Sequence, residues 1–91
     1  MSVTWAPEAL QHRFEVWELI AADNLDAAQK LDDQFDEATA LLVRQPALGR
    51  KGRIPATREW IVHENYCLIY EARDEELLVL AIIHTRRRWP R

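Results

Sequence analysis

The residues of this chain that could do chemistry are its three histidines and a group of arginines near the C-terminal end. His84 stands two positions before Arg86 and three before Arg87. This setting suits RNA cleavage, because His84 could act as a general acid or base while an arginine stabilises a developing negative charge. The alternative is a structural or partner-contacting His84. His12 is expected on the surface of a helix and His63 at a hairpin end, where a polar residue is ordinary.

The end of the chain combines arginines with an aromatic ring. Arg86, Arg87, Arg88 and Arg91 flank Trp89. Such a surface can bind nucleic acid through phosphate pairing and stacking. It can equally anchor a protein interface, where Trp and Arg are enriched. The acidic balance of the whole chain, with a pI of about 5.6, favours the protein partner.

A second basic segment lies in the middle of the chain. Residues 45–56, QPALGRKGRIPA, carry Arg50, Lys51 and Arg53 between glycines and prolines. A basic glycine-bearing loop can cradle phosphate, but the GxxxxGK[ST] pattern and its strand-to-helix context are missing. A basic rim that contacts an acidic partner is the better interpretation.

Other chemistry is poorly represented. The sequence shows no paired carboxylates, no Ser-His-Asp order and no metal-ligand spacing, so neither a metal nor a cofactor is expected. Cys67 is the single cysteine, which excludes an internal disulfide and a zinc site. It is expected to be a buried strand residue. With neither a signal-peptide pattern nor an apolar run of about 18–20 residues, the sequence predicts a cytoplasmic protein that does not enter the membrane.

Charge divides the chain into two halves. Residues 1–43 hold nine acids and two bases, a net charge of −7, whereas residues 44–91 hold ten bases and six acids, a net charge of +4. Such asymmetry indicates a charged partner for the basic half. The alternative is an acidic solvated helix face beside an ordinary mixed sheet.

The elements that position these residues follow from hydrophobic periodicity. Three apolar runs between Thr57 and Trp89 are separated only by residues 63–65 and 73–76. Spacers that short predict adjacent antiparallel strands. The last run, residues 77–84, alternates with apolar residues in both registers, so both faces of that strand are predicted to be apolar.

The first half of the chain predicts two helices. Pro7 begins residues 7–22, where Leu10, Phe14, Trp17 and Ile20/Ala21 recur at helical spacing, so an amphipathic helix with this apolar face is predicted. Asp23 or Asn24 is predicted to cap a second helix that ends at Pro46 and Gly49. Its apolar seam comprises Ala27, Ala28, Leu31, Phe35, Ala38, Leu41 and Leu42. A helical hairpin can cover one face of the sheet, so the uncovered face or edge is predicted to bind a partner.

Segments along nearly the whole of residues 1–91, taken as one domain, resemble toxins of the ParE/RelE superfamily from bacterial type II toxin–antitoxin pairs. These segments are VTWAPEAL, DNLDAAQKL, QPALGRKGRIPATREWIV, NYCLIY and LLVLAIIHTRRRWP. The resemblance implies an α+β fold of the order β-α-α-β-β-β, with the helical hairpin packed on a small antiparallel sheet. It also implies a cognate antitoxin, disordered when free, that wraps the toxin in a hetero-oligomer.

The resemblance leaves two targets open. The RelE branch cleaves mRNA on the ribosome with basic strand residues, which are missing at residues 60–62 in this chain. The ParE branch is associated with inhibition of DNA gyrase, and the loop and the I-H-x-R-R ending favour that branch and a non-enzymatic toxin. A small binding module without toxicity is a third interpretation.

Site residues follow from these hypotheses. For the alternative mRNA interferase, the catalytic residues would be His63, His84, Arg58, Arg86 and Arg87. Target-binding residues would be Arg86, Arg87, Arg88, Trp89 and Arg58. Antitoxin-binding residues would be Trp60, Val62, Leu78, Leu80, Ile82, Arg50 and Arg53.

Overall fold

The computed structural model describes residues 1–87 and 89–90. Two helices form a hairpin, and five strands form one sheet. In chain order the elements are β1 (Ser2–Trp5), α1 (Pro7–Ala21), α2 (Leu25–Arg44), β2 (Arg50–Lys51), β3 (Arg58–His63), β4 (Tyr66–Arg73) and β5 (Glu76–His84), with a single 3-10 turn at Pro46–Leu48 before β2. The predicted α+β class, the helical hairpin and the three consecutive strands are therefore confirmed.

The sheet has the order β1-β5-β4-β3-β2. Neighbours from β2 to β5 are antiparallel, but β1 pairs with β5 in parallel, so the sheet is mixed rather than purely antiparallel. A parallel pair needs a long crossover connection, and the helical hairpin with the following strands supplies it. The short β2 lies within residues 45–56, which were interpreted as a loop, and two residues are too few for periodicity to reveal a strand.

Local signals explain where the helices begin. Pro7 occupies the first turn of α1, where its missing N–H costs nothing. The Asn24 side chain accepts a hydrogen bond from the Ala27 backbone N–H at 3.0 Å and caps α2. The connection between β4 and β5 is a tight turn in which Asp74 and Glu75 both have positive φ, the backbone of a type I′ hairpin turn.

The helices bury one face of the sheet and enclose the main core. Its buried members include Phe35 and Leu42 from α2, and Leu68, Tyr70 and Val79 from the sheet. All five are less than 2% exposed, so this face contains the packing on which the fold depends.

Arg13 fastens the two helices together. Its Nε donates to Asp32 Oδ1 at 2.7 Å, and its terminal nitrogen lies 3.1 Å from Asp36 Oδ1. The guanidinium also lies over the rings of Trp5 and Phe35, 4.7 Å and 5.7 Å from their centroids. These contacts make Arg13 a structural residue, and the hydrogen-bonded carboxylates raise its pKa against the opposing effect of burial.

A β-bulge on β5 reverses which residues face the helices. Tyr70 pairs with Val79 and Ile69 with Ala81, so Leu80 is the extra residue between them. Before the bulge the odd-numbered residues face the helices, and after it Ile82 does so. The strict alternation predicted for residues 77–84 is therefore wrong.

The same register corrects the expected antitoxin-binding face. Trp60, Val62 and Ile82 were expected on the uncovered side, but they pack into the core beneath the helices. Val62 lies at a second irregularity, between Ile61 and His63 of β3. These three side chains are thus not available on the uncovered face of the sheet.

Helix α1 turns only part of the predicted apolar face to the core, since Ile20 packs beside the core but Leu10 and Phe14 do not. Ala9 is its buried residue, and Val16 and Ile20 pack beside the core. Leu10 and Phe14 are instead 53% and 54% exposed. The pattern could not distinguish the two faces because α1 carries apolar residues on both sides.

His12 is also not the surface residue that was predicted. Its Nδ1 accepts a hydrogen bond from the backbone N–H of Ile82 at 3.2 Å. β1 pairs with β5 only as far as Val79, so this amide lies past the end of that ladder. His12 therefore satisfies an otherwise unpaired backbone donor and ties α1 to β5.

Candidate functional site

The uncovered face of the sheet contains a groove of about 620 Å³. Apolar side chains of the strands form its floor, and charged residues surround it. The lining residues are Arg50, Arg53, Glu59, Ile61, Cys67, Ile83, Thr85, Arg86, Arg87 and Trp89. We call this site the basic groove. It unites the two basic segments of the sequence, the loop after α2 and the C-terminal tail.

The floor rests on a small second cluster of buried residues. Cys67, Ile69, Ala81 and Ile83 form it, and Trp89 packs against it. Ile61 stands beside this cluster with 53% of its surface exposed. The groove thus offers apolar contact area at its base, which suits a peptide or protein surface better than a small polar ligand.

The loop side of the basic groove is held by Tyr70. Its hydroxyl donates to the Pro46 carbonyl at 2.7 Å and accepts from the Gly49 N–H at 3.0 Å. A side chain at position 49 would meet this hydroxyl, since a Cβ there would lie 2.6 Å from it. Burial raises the pKa of Tyr70, so the hydroxyl stays neutral and can donate.

Arg58 supports the same loop. Its Nη1 donates to the Gly49 carbonyl at 2.7 Å and to the Ala47 carbonyl at 3.3 Å. Arg58 therefore holds the backbone just before Arg50, and it does not line the basic groove. Its predicted place among target-binding residues is not supported by this geometry, because its guanidinium is occupied by the loop.

The tail side is held by the turn that follows β5. Thr85 Oγ1 donates to the Glu64 carbonyl at 2.9 Å, and the Thr85 N–H donates to the Asn65 carbonyl at 2.9 Å. These bonds tie the first residue after β5 to the turn between β3 and β4. Arg86 and Arg87 follow directly and are exposed at the groove. Arg88, also predicted to bind the target, lies outside the described residues.

The basic groove carries more positive than negative side chains. Arg50 pairs with Glu59 at 2.8 Å, so these two neutralise one another. Arg53, Arg86 and Arg87 then leave the groove positive. Beneath them, burial and the nearby Glu59 carboxylate raise the pKa of the Cys67 thiol to about 11. Cys67 is thus a neutral packing residue, as its predicted burial implies, rather than a nucleophile.

The five residues of the alternative catalytic set do not share one site. Arg58 and His63 stand at opposite ends of β3, about 17 Å apart along the strand. His63 and His84 flank the ring of Tyr66, with centroids 6.4 Å and 5.8 Å from it. Tyr66 packs against the helix-covered core, whereas Arg86 belongs to the basic groove on the other face.

A smaller hollow of about 200 Å³ lies between α1 and the end of β5. His84, Tyr66 and Arg87 contribute to its lining, together with His12 and Glu15 of α1. The Nδ1 of His84 accepts from the Arg86 N–H at 3.2 Å, which orients its ring. Arg87 borders both this hollow and the basic groove.

Sequence reasoning missed several groove residues. Ile61, Ile83 and Glu59 were not named, although each alternates with a residue that faces the helices. The two-residue period of β3 could have shown which of its residues face the groove. In β5 the bulge shifts the alternation, so the period could not show it. Of the predicted antitoxin-binding residues, Arg50 and Arg53 line the groove, and Leu80 packs against the cluster beneath it. Leu78 is half-buried between two helix-facing neighbours, so it is directed to the uncovered side.

Among the described residues, no group of three or more metal-ligating side chains comes together. No described helix is long and apolar enough to span a bilayer. A helical hairpin on a sheet whose free face carries a basic, apolar-floored groove is an arrangement suited to contact with another macromolecule.

The family of the chain follows from its sequence. Residues 3–89 match the family model described as "ParE toxin of type II toxin-antitoxin system, parDE", and the chain belongs to this family. A protein of Sinorhizobium fredii named "Putative toxin Y4kP" is 30% identical over 88 residues, which are 97% of this chain and 92% of that protein. The chain is therefore a toxin of the type II toxin–antitoxin class, as the resemblance implied.

Solved structures repeat the fold. A chain of the chromosomal ParDE system from P. aeruginosa has a TM-score of 0.80 and 18% identity, over 92% of this chain and 95% of that one. A chain of the YoeB-YefM complex from Staphylococcus aureus has a TM-score of 0.62 and 17% identity, over 89% and 92%. At these identities the likeness establishes the shared fold.

Proposed function

We propose that this toxin stops growth by binding DNA gyrase, without cutting RNA, and that a cognate antitoxin neutralises it by covering the open face of the sheet. Membership of the ParE family, and the resemblance that favours the ParE branch, support the gyrase target. The observation that supports action by binding is the basic groove, where Arg53, Arg86 and Arg87 surround an apolar floor.

The basic groove also indicates what the antitoxin offers. Three cations without a matching acid in the groove favour an acidic segment, and the floor of Ile61 and Ile83 favours apolar anchors in it. An extended segment that orders on binding can follow such a groove. The named solved relatives belong to ParDE and YoeB-YefM pairs, which supports a toxin–antitoxin hetero-oligomer for this chain as well.

The gyrase proposal is tested with purified toxin. Relaxed plasmid, gyrase and ATP are incubated with increasing toxin, and supercoiling is followed on gels. Inhibition is expected, and it should weaken in the Arg86→Ala/Arg87→Ala variant. Arg73→Ala is the matched control, because Arg73 is an exposed arginine at the opposite end of β4. In cells, induction without antitoxin should cause filamentation and a DNA-damage response. Unaffected supercoiling together with early cleavage of transcripts would reject the gyrase target.

A second candidate function is ribosome-dependent mRNA cleavage. The hollow beside α1 favours it, because His84, Tyr66 and Arg87 line the same space. His84 could transfer a proton there while Arg87 stabilises charge on the phosphate. Primer extension on mRNA from induced cells, compared between the wild type and His84→Gln, distinguishes the two functions. Cuts that vanish in His84→Gln would support the interferase.

The antitoxin proposal makes a separate prediction about stability. A segment that binds only the folded toxin should stabilise it by about 4 kcal/mol at a thousandfold excess over Kd. The measurement is thermal unfolding of the toxin alone and in complex. Ile61→Asp should reduce the shift, since it places a carboxylate on the floor of the basic groove. Equal melting temperatures with and without antitoxin would contradict the proposal.

A further inference from the structure

A carboxylate lies among the cations of the basic groove. Glu59 and Ile61 alternate with residues that face the helices, so both are directed to the open face of the sheet. The Glu59 side chain is only 15% exposed. A carboxylate that has lost most of its hydration needs a cation or a hydrogen-bond donor beside it. Glu59 therefore restricts what the basic groove can bind.

The cation that Glu59 finds within the chain is loosely placed. Arg50 lies opposite Glu59 in the pairing of β2 with β3, and its Nε and terminal nitrogen lie 3.0 Å and 2.8 Å from Glu59 Oε1. Both nitrogens contact the same oxygen, so the pair lacks the stronger geometry in which each oxygen receives one nitrogen. Arg50 is also 71% exposed, on an edge strand of two residues. Because exposed ion pairs contribute little to stability, a cation of a bound partner can replace Arg50.

Charges follow a fixed order along β3. Arg53 lies in the loop that joins β2 to the first residue of β3, near the Glu59 end of the strand. Arg86 and Arg87 follow β5 beside the turn at the other end of β3. From Glu59 to that end the strand extends for four residues, about 13 Å. The basic groove thus presents a cation, an anion, an apolar floor and two further cations in this order.

On the basis of the antitoxin binding proposed above, we propose that Glu59 selects a basic side chain in the antitoxin segment, with acidic residues on both sides of it. A Lys or Arg of the segment replaces Arg50 at Glu59. The flanking carboxylates pair with Arg53 at one end and with Arg86 and Arg87 at the other. Side chains on one face of an extended segment recur every two residues, about 7 Å. The matching pattern is therefore acid-x-base-x-apolar-x-acid, in either chain direction.

Segments of uniform charge fit the basic groove less well. A uniformly acidic segment would place a carboxylate against Glu59 on an apolar floor, where water is displaced and like charges repel strongly. A nucleic-acid backbone meets the same repulsion, since all of its phosphates are negative. A uniformly basic segment would be repelled by Arg53, Arg86 and Arg87. Alternating charge is thus what distinguishes the fitting partner from these competitors.

Three peptides of equal length test this selection on the whole toxin. The mixed peptide carries Asp, Lys, Leu and Glu at alternate positions, with Ser or Thr between them. The acidic peptide has Glu in place of the Lys, and the neutral peptide has Gln there. Each is made in both chain directions, and binding is followed by calorimetric titration. The mixed peptide should bind at least about tenfold more tightly than the acidic peptide, with the neutral peptide between them.

Two variants assign the effect to Glu59. Glu59→Gln should abolish the preference for the mixed peptide, because the amide carries no charge. Glu71→Gln is the matched control, since Glu71 is 18% exposed, pairs with the 71% exposed Arg73 at 3.2 Å and does not line the basic groove. It should leave the preference unchanged. Circular dichroism should show that both variants fold, and the comparison of peptides on the wild type depends on neither variant.

Other outcomes overturn the selection by Glu59. Equal or tighter binding of the acidic peptide to the wild type would mean that Arg50 stays on Glu59, and the acidic antitoxin segment would stand without this selection. No binding of any peptide would remove both the acidic segment and the selection from the basic groove. Loss of the preference in Glu71→Gln as well would assign it to the net charge of the toxin.

Discussion

The two faces of the sheet are made by the same strands but serve different ends. The helix-covered face buries large side chains such as Leu68, Tyr70 and Val79. The open face buries only the small cluster of Cys67 and its neighbours, and the charged residues of the basic groove surround it. Packing energy is thus concentrated on one face and binding residues on the other. Substitutions on the helix-covered face should therefore lower stability, whereas substitutions on the open face should lower toxicity in a folded protein.

The largest difference between the faces is expected from truncating one apolar residue on each. Leu68→Ala, at a position with no exposed surface, should lower the free energy of unfolding by about 2–5 kcal/mol. Ile61→Ala, at a position that is 53% exposed, should lower it by less than about 1 kcal/mol. Urea unfolding measures both. Ile61→Ala should still reduce toxicity in a growth assay, and equal destabilisation would mean that the open face belongs to the core.

A second test measures whether solvent reaches the Cys67 thiol beneath the basic groove. Burial and the nearby Glu59 carboxylate raise the pKa of the Cys67 thiol from its ordinary value of 9.0 to about 11 in the folded protein. Between these pH values the unfolded chain releases its proton and the folded chain does not, so stability present below pH 9 declines as the pH rises. The loss should reach about 2–3 kcal/mol by pH 11.

Cys67→Ala should flatten this decline between pH 9 and 10. Above pH 10 a slope should remain, because burial also raises the pKa of Tyr70. Chemical denaturation at stepped pH provides the measurement. Identical slopes in the wild type and in Cys67→Ala would indicate that the thiol is open to solvent.

Tyr70 links the two faces, since its ring lies in the core and its hydroxyl holds the loop of the basic groove. Tyr70→Phe leaves the Gly49 N–H and the Pro46 carbonyl without this partner, which should cost about 1–3 kcal/mol. Toxicity should fall further than the loss of stability explains. Without the Tyr70 hydroxyl the loop is no longer held, and Arg50 and Arg53 lose their fixed positions in the basic groove. Tyr66→Phe is the comparison at the other end of β4. Unchanged toxicity in a folded Tyr70→Phe protein would separate the loop from function.

The smallest effect on stability is expected in the tail. Arg86→Ala/Arg87→Ala changes exposed side chains, so unfolding should shift by no more than about 0.5 kcal/mol. Toxicity should nonetheless fall, because both side chains line the basic groove. Melting curves are compared with growth assays, with Arg73→Ala as control. Full toxicity in the stably folded double variant would show that Arg86 and Arg87 are not part of the active surface. Residues 50–58 would then be the next candidates for that surface.

Much of the secondary structure could be predicted because its signals are local. Pro7 and Asn24 mark helix starts, and the short spacers after His63 and Arg73 leave room only for tight turns. The order of these segments also carried the resemblance to the family that residues 3–89 match. Cys67 was correctly expected to be buried in a strand. Each of these features depends on a few neighbouring residues, which is why one sequence sufficed.

Tertiary structure alone decided which residues face which side. The bulge at Leu80 shifts the alternation of β5 by one residue, and α1 has apolar side chains on two faces, so periodicity could not assign Ile82 or Phe14. The basic groove brings Arg53 together with Arg87, residues that are distant in sequence and adjacent only when the sheet forms. Arg58 was predicted to bind the target, but its guanidinium donates to the Gly49 carbonyl. The sequence specifies which residue types are present. Which groups distant in sequence form a hydrogen bond depends on how the folded backbone brings them together.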